Sequence, residues 1–214
     1  MTRILALHGF RTSGRIMKIQ TSRMAALIGC EIVAINAFHK ATGPPNADVV
    51  KWFGADGPFF EHYYAMEDDN HQFTYVGVEE SLAYLSKTLN EHGPFDIVLG
   101  FSQGANLLTM YIASLESQNV KPSFRAAMLF CGTFPQCETS GFQYPNRILS
   151  LHVLGELDPI IHKSRKLAKD YYHEDTRTVI SHKGGHMPPS GGQDECIYKI
   201  KKWMKVNKFD VSDD

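Results

Sequence analysis

Cysteine is scarce in this 214-residue chain. The four present, Cys30, Cys131, Cys137 and Cys196, have neither C-x-x-C spacing nor the density of a disulfide framework. Cys30 and Cys131 fall in or beside predicted strands and read as buried thiols. A reducing intracellular setting, cytoplasmic or nuclear, is therefore the expectation. No apolar run approaches the ~20 residues that cross a bilayer, and no signal sequence is evident ahead of Ile4-Leu5-Ala6-Leu7, which reads as a core strand. No membrane span is expected. A surplus of either charge is also missing. With 22 Lys+Arg against 23 Asp+Glu the net charge is -1, and the basic excess typical of nucleic-acid binding is absent. The one cationic cluster, Lys199, Lys201, Lys202, Lys205 and Lys208, sits late on a predicted closing helix and reads as its solvated face. G-x-G-x-x-G and P-loop patterns do not occur, and ten histidines show no metal-ligand spacing. Neither a nucleotide cofactor nor a metal is expected. Oligomeric state leaves no signature.

What is present fits one α/β domain over residues 1–214. Hydrophobic residues make up 43% and charged residues 21%, as in ordinary globular chains. Short apolar runs without alternation (Ile4–His8, Glu31–Phe38, Asp96–Phe101, Ala126–Cys131, Ile148–Leu154, Arg177–Ser181) predict strands buried on both faces. Between them lie helical spacings. One spans Arg15–Ile28, with Ile16, Ile19, Met24 and Leu27 near one face. Others are Val78 through Leu89 (ended by His92-Gly93-Pro94), Gln103–Ser117, a helix around Lys163–Tyr172, and one from about Gln193 to Val206. That rhythm predicts a mostly parallel, doubly wound sheet flanked by helices, with ligands bound beyond the carboxyl ends of the strands.

The rhythm breaks between His39 and about Tyr75. No regular element is evident there, yet Trp52, Phe53, Phe59, Phe60, Tyr63, Tyr64, Phe73 and Tyr75 crowd into it. Aromatic density argues against disorder. A lid or insertion that lends residues such as Trp52, Phe53, Phe59 and Phe60 to a binding site is the expectation, with Met187 as a further substrate contact. A packed excursion over the sheet edge is the plainer alternative.

Gly100-Phe101-Ser102-Gln103-Gly104 follows a predicted strand and opens a helix, the context a G-x-S-x-G nucleophile elbow requires. A serine hydroxyl is a weak nucleophile and needs a base with an orienting partner. Two loops after later strands offer them: Asp158 in Gly155-Glu156-Leu157-Asp158-Pro159 and His186 in Lys183-Gly184-Gly185-His186-Met187-Pro188. The chain order Ser…Asp…His matches the α/β-hydrolase fold. Glu156 shares the loop and rivals Asp158. His182 reads as a cap or core residue at its strand end and His162 as a surface residue, while Asp96 precedes its strand. For the oxyanion, the backbone N–H of Gln103 and that of Phe10, in His8-Gly9-Phe10-Arg11 after the first strand, are the expected donors. His8 reads as structural; Arg11 reads as either a contact to a substrate anion or half of an internal ion pair.

Taken together, Leu7-His8-Gly9-Phe10, Gly93-Pro94-Phe95-Asp96 leading into Gly100-Phe101-Ser102-Gln103-Gly104-Ala105, and Gly184-Gly185-His186-Met187-Pro188 resemble the FSH1 family of serine hydrolases over nearly the whole chain. The resemblance implies a cofactor-free α/β-hydrolase that cleaves medium- to long-chain acyl esters or, on the same site, acyl thioesters. It makes Ser102 the nucleophile, Asp158 the acid, His186 the base, and Phe10 and Gln103 the oxyanion positions. Asn106, where a small alanine is common, and the stretch Pro58–Tyr64 depart from the family pattern. The alternative outside catalysis is a hydrolase-fold ligand receptor with a vestigial site.

Overall fold

The computed structural model describes residues 1–70, 72–136 and 141–212. Six strands form one parallel sheet: β1 (Arg3–Leu7), β2 (Glu31–Ile35), β7 (Ile97–Phe101), β8 (Ala126–Phe130), β9 (Leu149–Gly155) and β10 (Arg177–His182). Their spatial order is β10-β9-β8-β7-β1-β2. The chain moves outward from β1 to β2 and then returns to lay β7 on β1's other side. That reversal is a topological switch point, where the loops after β1 and β7 diverge and leave a crevice.

Helices α1 (Gly14–Ile28) and α6 (Asp194–Val206) cover one face, and α3 (Val78–His92), α4 (Gln103–Ser117) and α5 (Ile161–Tyr171) cover the other. The central strands β7 and β8 are buried at every position, which is why their sequences run apolar without alternation. On α1 the core stripe is Met17, Thr21, Met24 and Ile28, the i, i+4, i+7, i+11 face of a helix. Ile19 departs from expectation: it lies off this stripe and is 49% exposed. On α6, Lys201 is a second departure, being 5% exposed rather than on a solvated face. The rest of the lysine cluster faces out. Cys30, Cys131 and Cys196 are buried free thiols, and Cys137 lies outside the described residues.

The segment expected to lack regular structure has some. It holds α2 (Ala47–Phe53), begun by Asn46, whose side chain accepts from the Val49 N–H, as helix caps do. Around α2, β3 (His39–Lys40) pairs antiparallel with β4 (Phe60–Glu61), and β5 (Tyr64–Glu67) pairs with β6 (Phe73–Val76). Two-residue strands joined across twenty residues carry no periodicity, so pattern reading misses them.

Candidate active site

Ser102 stands between β7 and α4 with φ 51° and ψ -112°. That backbone is strained for a residue with a side chain, and strain of this kind gathers at functional sites. Packing enforces it. A Cβ on Gly104 would lie 2.6 Å from the carbonyl oxygens of Leu7 and His8, and one on Gly100 would lie 2.6 Å from Ala105. Strand and helix approach this closely only because both residues are glycine.

The sheet brings three loops to the crevice. His186 Nε2 lies 2.9 Å from Ser102 Oγ, and His186 Nδ1 lies 2.7 Å from Asp158 Oδ2. The Asp158 side chain is fully buried and the His186 ring 28% exposed. Asp158 is fixed by its own turn, its Oδ1 accepting from the Ile160 N–H at 2.9 Å. Glu156 points elsewhere, accepting from Ser181 Oγ at 2.6 Å on the surface. His182 is buried at the end of β10, and its Nδ1 accepts from the Gly184 N–H at 3.0 Å. It props the loop that carries His186. His162 is exposed on α5, and Asp96 bonds the Arg3 N–H at the opposite end of the sheet.

The loop after β1 lies against the elbow, since a Cβ on Gly9 would be 3.5 Å from the Ser102 Cβ. Its peptide planes are held from within. The Ala37 N–H donates to His8 Nε2 at 2.9 Å, so the ring proton is on Nδ1, 2.7 Å from the Gly9 carbonyl oxygen. Thr12 Oγ1 donates to the same oxygen at 3.1 Å. In a trans peptide the N–H points opposite to the C=O. Anchoring the Gly9 carbonyl inward therefore turns the Phe10 N–H outward. The Gln103 N–H is the first of α4 and has no acceptor within the helix.

Burial lowers the His8 pKa to about 4 and holds that of His62 well below the usual imidazole range. Both are neutral near pH 7. Arg11 does not reach for a ligand: its Nε lies 3.0 Å from Oε1 of buried Glu61, and it also bonds Thr42. Asn106 Nδ2 donates to the Phe134 carbonyl at 3.1 Å. Among the described residues, Cys131, Asp158 and His186 form the one group with metal-ligand proximity. Burial pushes the Cys131 thiol up to about 12, which leaves it neutral and a poor ligand. Its Sγ instead lies 3.5 Å from the Met187 carbonyl oxygen, under the His186 loop.

The aromatic residues expected to meet substrate line two adjoining cavities, neither of which is walled by Ser102, Asp158 or His186. One, of about 390 Å³, has an apolar wall of Trp52, Phe53, Phe59 and Phe60 with Ile16 and Ile19, and a polar one that includes Arg15, Asn36 and Asp56. The other, of about 490 Å³, is walled by Trp52, Phe53, Met187, Pro188 and Ile19. Ile19, Trp52 and Phe53 are common to both, so α2 lies across the join. Sequence reading missed Thr12, Ile19, Glu61 and His62 as parts of this region. Nothing in the sequence marks His62 among ten histidines or pairs Glu61 with Arg11 fifty positions away.

The chain is similar to known serine hydrolases and esterases. The family model described as "Serine hydrolase (FSH1)" matches residues 1–195. Esterase C25G4.2 of Caenorhabditis elegans is 33% identical over 199 residues, covering 88% of this chain and 86% of its own. Esterase OVCA2 of Homo sapiens is 32% identical over 214 residues, covering 92% and 93%. Among solved structures, the acyl-protein thioesterase 2 of Zea mays superposes with a TM-score of 0.64 at 17% identity, over 96% of this chain and 93% of that one. A Bacillus cereus carboxylesterase gives a TM-score of 0.57 at 18% identity, over 96% and 88%. These two share the α/β-hydrolase fold. The chain belongs to the FSH1 family of serine hydrolases.

Proposed function

We propose that this protein hydrolyses carboxylic esters through an acyl-enzyme formed on Ser102. The observation that carries the reading is the unbroken line from Ser102 Oγ through both nitrogens of His186 to buried Asp158, at 2.9 and 2.7 Å. His186 Nε2 takes the Ser102 proton as Oγ bonds to the acyl carbon. The amides of Phe10 and Gln103 stabilise the oxyanion, the interaction that contributes most in such sites. His186 then protonates the departing alcohol as its C–O bond breaks. Water, giving its proton to the same nitrogen, attacks the acyl carbon, and the acid leaves as Ser102 regains its proton. Asp158 fixes the imidazole tautomer and stabilises its protonated form.

For the acyl group we take the two cavities beneath α2 as the binding groove and the insertion as its cover. Apolar walls at Ile19, Trp52, Phe53 and Met187 favour medium or longer chains over acetate. A thioester would follow the same steps, because only the leaving atom differs. The fold shared with the maize thioesterase makes it the reading to test against. Turnover of a matched acyl ester and acyl thioester separates the two; a clear preference for the thioester would put thioester hydrolysis first.

Ser102→Ala is expected to lower turnover of an activated acyl ester by several orders of magnitude with the fold intact. Turnover equal to the wild type in that variant would end the proposal.

A further inference from the structure

The insertion does more than border the acyl groove: four consecutive residues, Phe60 to Tyr63, are tied to the two segments that carry the proposed oxyanion amides. The Phe60 N–H donates to the Thr12 carbonyl at 2.7 Å. Glu61 Oε1 accepts from Arg11 Nε at 3.0 Å and from the Thr42 N–H at 2.7 Å. His62 Nε2 donates to the His8 carbonyl at 2.9 Å, and the His62 carbonyl accepts from Ser81 Oγ of α3. The Gln103 carboxamide completes the set. Its Oε1 accepts from the His62 N–H at 2.9 Å, and its Nε2 donates to the Tyr63 carbonyl at 2.8 Å.

We propose that His62 and the Gln103 carboxamide are positioning residues of the oxyanion hole. Through them the insertion holds the His8–Phe10 backbone and the start of α4 in mutual register. This role rests on the acyl-transfer reading above.

Two features of the geometry support it. First, the oxyanion loop has two successive carbonyls, and each is held by a different group. Gly9's is held from inside by His8 Nδ1–H and Thr12, and His8's is held from the insertion by His62. The Gly9–Phe10 peptide, which carries the Phe10 N–H, cannot rotate without losing two buried hydrogen bonds, and His62 fixes the His8–Gly9 peptide just before it. The His8 and His62 rings lie 4.9 Å apart, both buried. Second, a G-x-S-x-G elbow leaves the residue after serine free in its side chain, since only its N–H serves the oxyanion. Here that side chain uses one acceptor and one donor on adjacent backbone groups of the insertion. An amide supplies both, whereas a carboxylate accepts but has no hydrogen to give. The residue that offers an N–H to the oxyanion thus also grips the segment that braces the opposite donor. Phe59, just before this strap, and Phe60, its first residue, line the cavity taken above as part of the acyl groove, so that groove and the oxyanion hole are joined through the chain itself.

The test is steady-state kinetics on an activated acyl ester, with thermal melting of each variant and binding of an alkyl boronic acid, which mimics the tetrahedral adduct on serine. His62→Ala is expected to lower kcat by about 10- to 100-fold, below the 10²–10³ seen when an oxyanion donor is deleted outright. KM should stay within about threefold, and boronate affinity should fall in parallel with kcat. His62→Gln, whose amide nitrogen reaches the same carbonyl, should restore most of both. A folded His62→Ala with wild-type kcat, a loss confined to KM, or a His62→Gln that melts like the wild type without recovering kcat would each overturn the proposal. If His62→Ala does not fold, Gln103→Glu decides instead: a fall in kcat with KM held supports positioning, and unchanged kinetics overturns it. An inert wild-type protein would refute the ester-hydrolase reading itself, an outcome distinct from all of these.

Discussion

At the scale of single residues, the choice between two carboxylates in one five-residue loop decides the relay. Asp158 is buried against His186 Nδ1, whereas Glu156 faces solvent and bonds Ser181. Asp158→Asn should therefore lower kcat by on the order of 10⁴, because an amide favours the wrong imidazole tautomer. Glu156→Gln should leave kcat within about twofold. Parallel kinetics on the two variants checks this, and a larger loss in Glu156→Gln would reassign the acid. Ser102 and His186 are legible in the sequence because each sits in a local pattern that follows a strand. The Asp158–Glu156 choice is not, since it depends on a turn in which Asp158 Oδ1 accepts from Ile160. Arg11 is legible only as a pair of alternatives. Its partner Glu61 lies fifty residues on, and no local pattern links them.

At the scale of elements, the four inner strands are readable because burial on both faces demands continuous apolar runs, whereas the edge strands β2 and β10 depart from the expected two-sided burial and are mostly only partly buried. All five helices flanking the sheet lie within about two residues of their expected ends. The insertion is unreadable for the complementary reason. Its strands of two to four residues and its seven-residue helix are too short to show a period, and their stability comes from contacts with distant loops. Ile19 shows the same limit. It has helical spacing with Ile16, yet it faces the cavities beneath α2 rather than the core. Because it is half exposed, Ile19→Trp should fold normally while filling the join of the two cavities. Turnover of a long acyl ester relative to acetate should then drop about tenfold or more. An unchanged chain-length profile would remove the groove beneath α2 from the acyl site.

For the molecule as a whole, buried neutral histidines contribute to a loss of stability in acid. Burial lowers His8 to about 4 and His152 to about 3, and it holds His62 well below the ordinary value of 6.5. Above pH 6.5 neither folded nor unfolded chain protonates these rings, so they add no pH dependence. Below 6.5 the unfolded chain takes up the protons and the folded one does not. Stability is therefore lost as pH falls from about 6.5 toward 4, approaching about 1.4 kcal/mol per pH unit for each such ring. Denaturant midpoints measured from pH 7.5 to 4.5 should fall through this window, and a flat or rising profile would contradict the assignment of neutral buried rings.

The proposed chemistry depends on Ser102 being a nucleophile that His186 activates. Its most direct test is intact mass and peptide mapping of the folded protein after treatment with a fluorophosphonate. One equivalent of adduct on Ser102 is expected, lost in Ser102→Ala and strongly slowed in His186→Ala. A folded protein that takes no label, or takes it on another residue, would contradict the proposal and favour a hydrolase fold kept for binding.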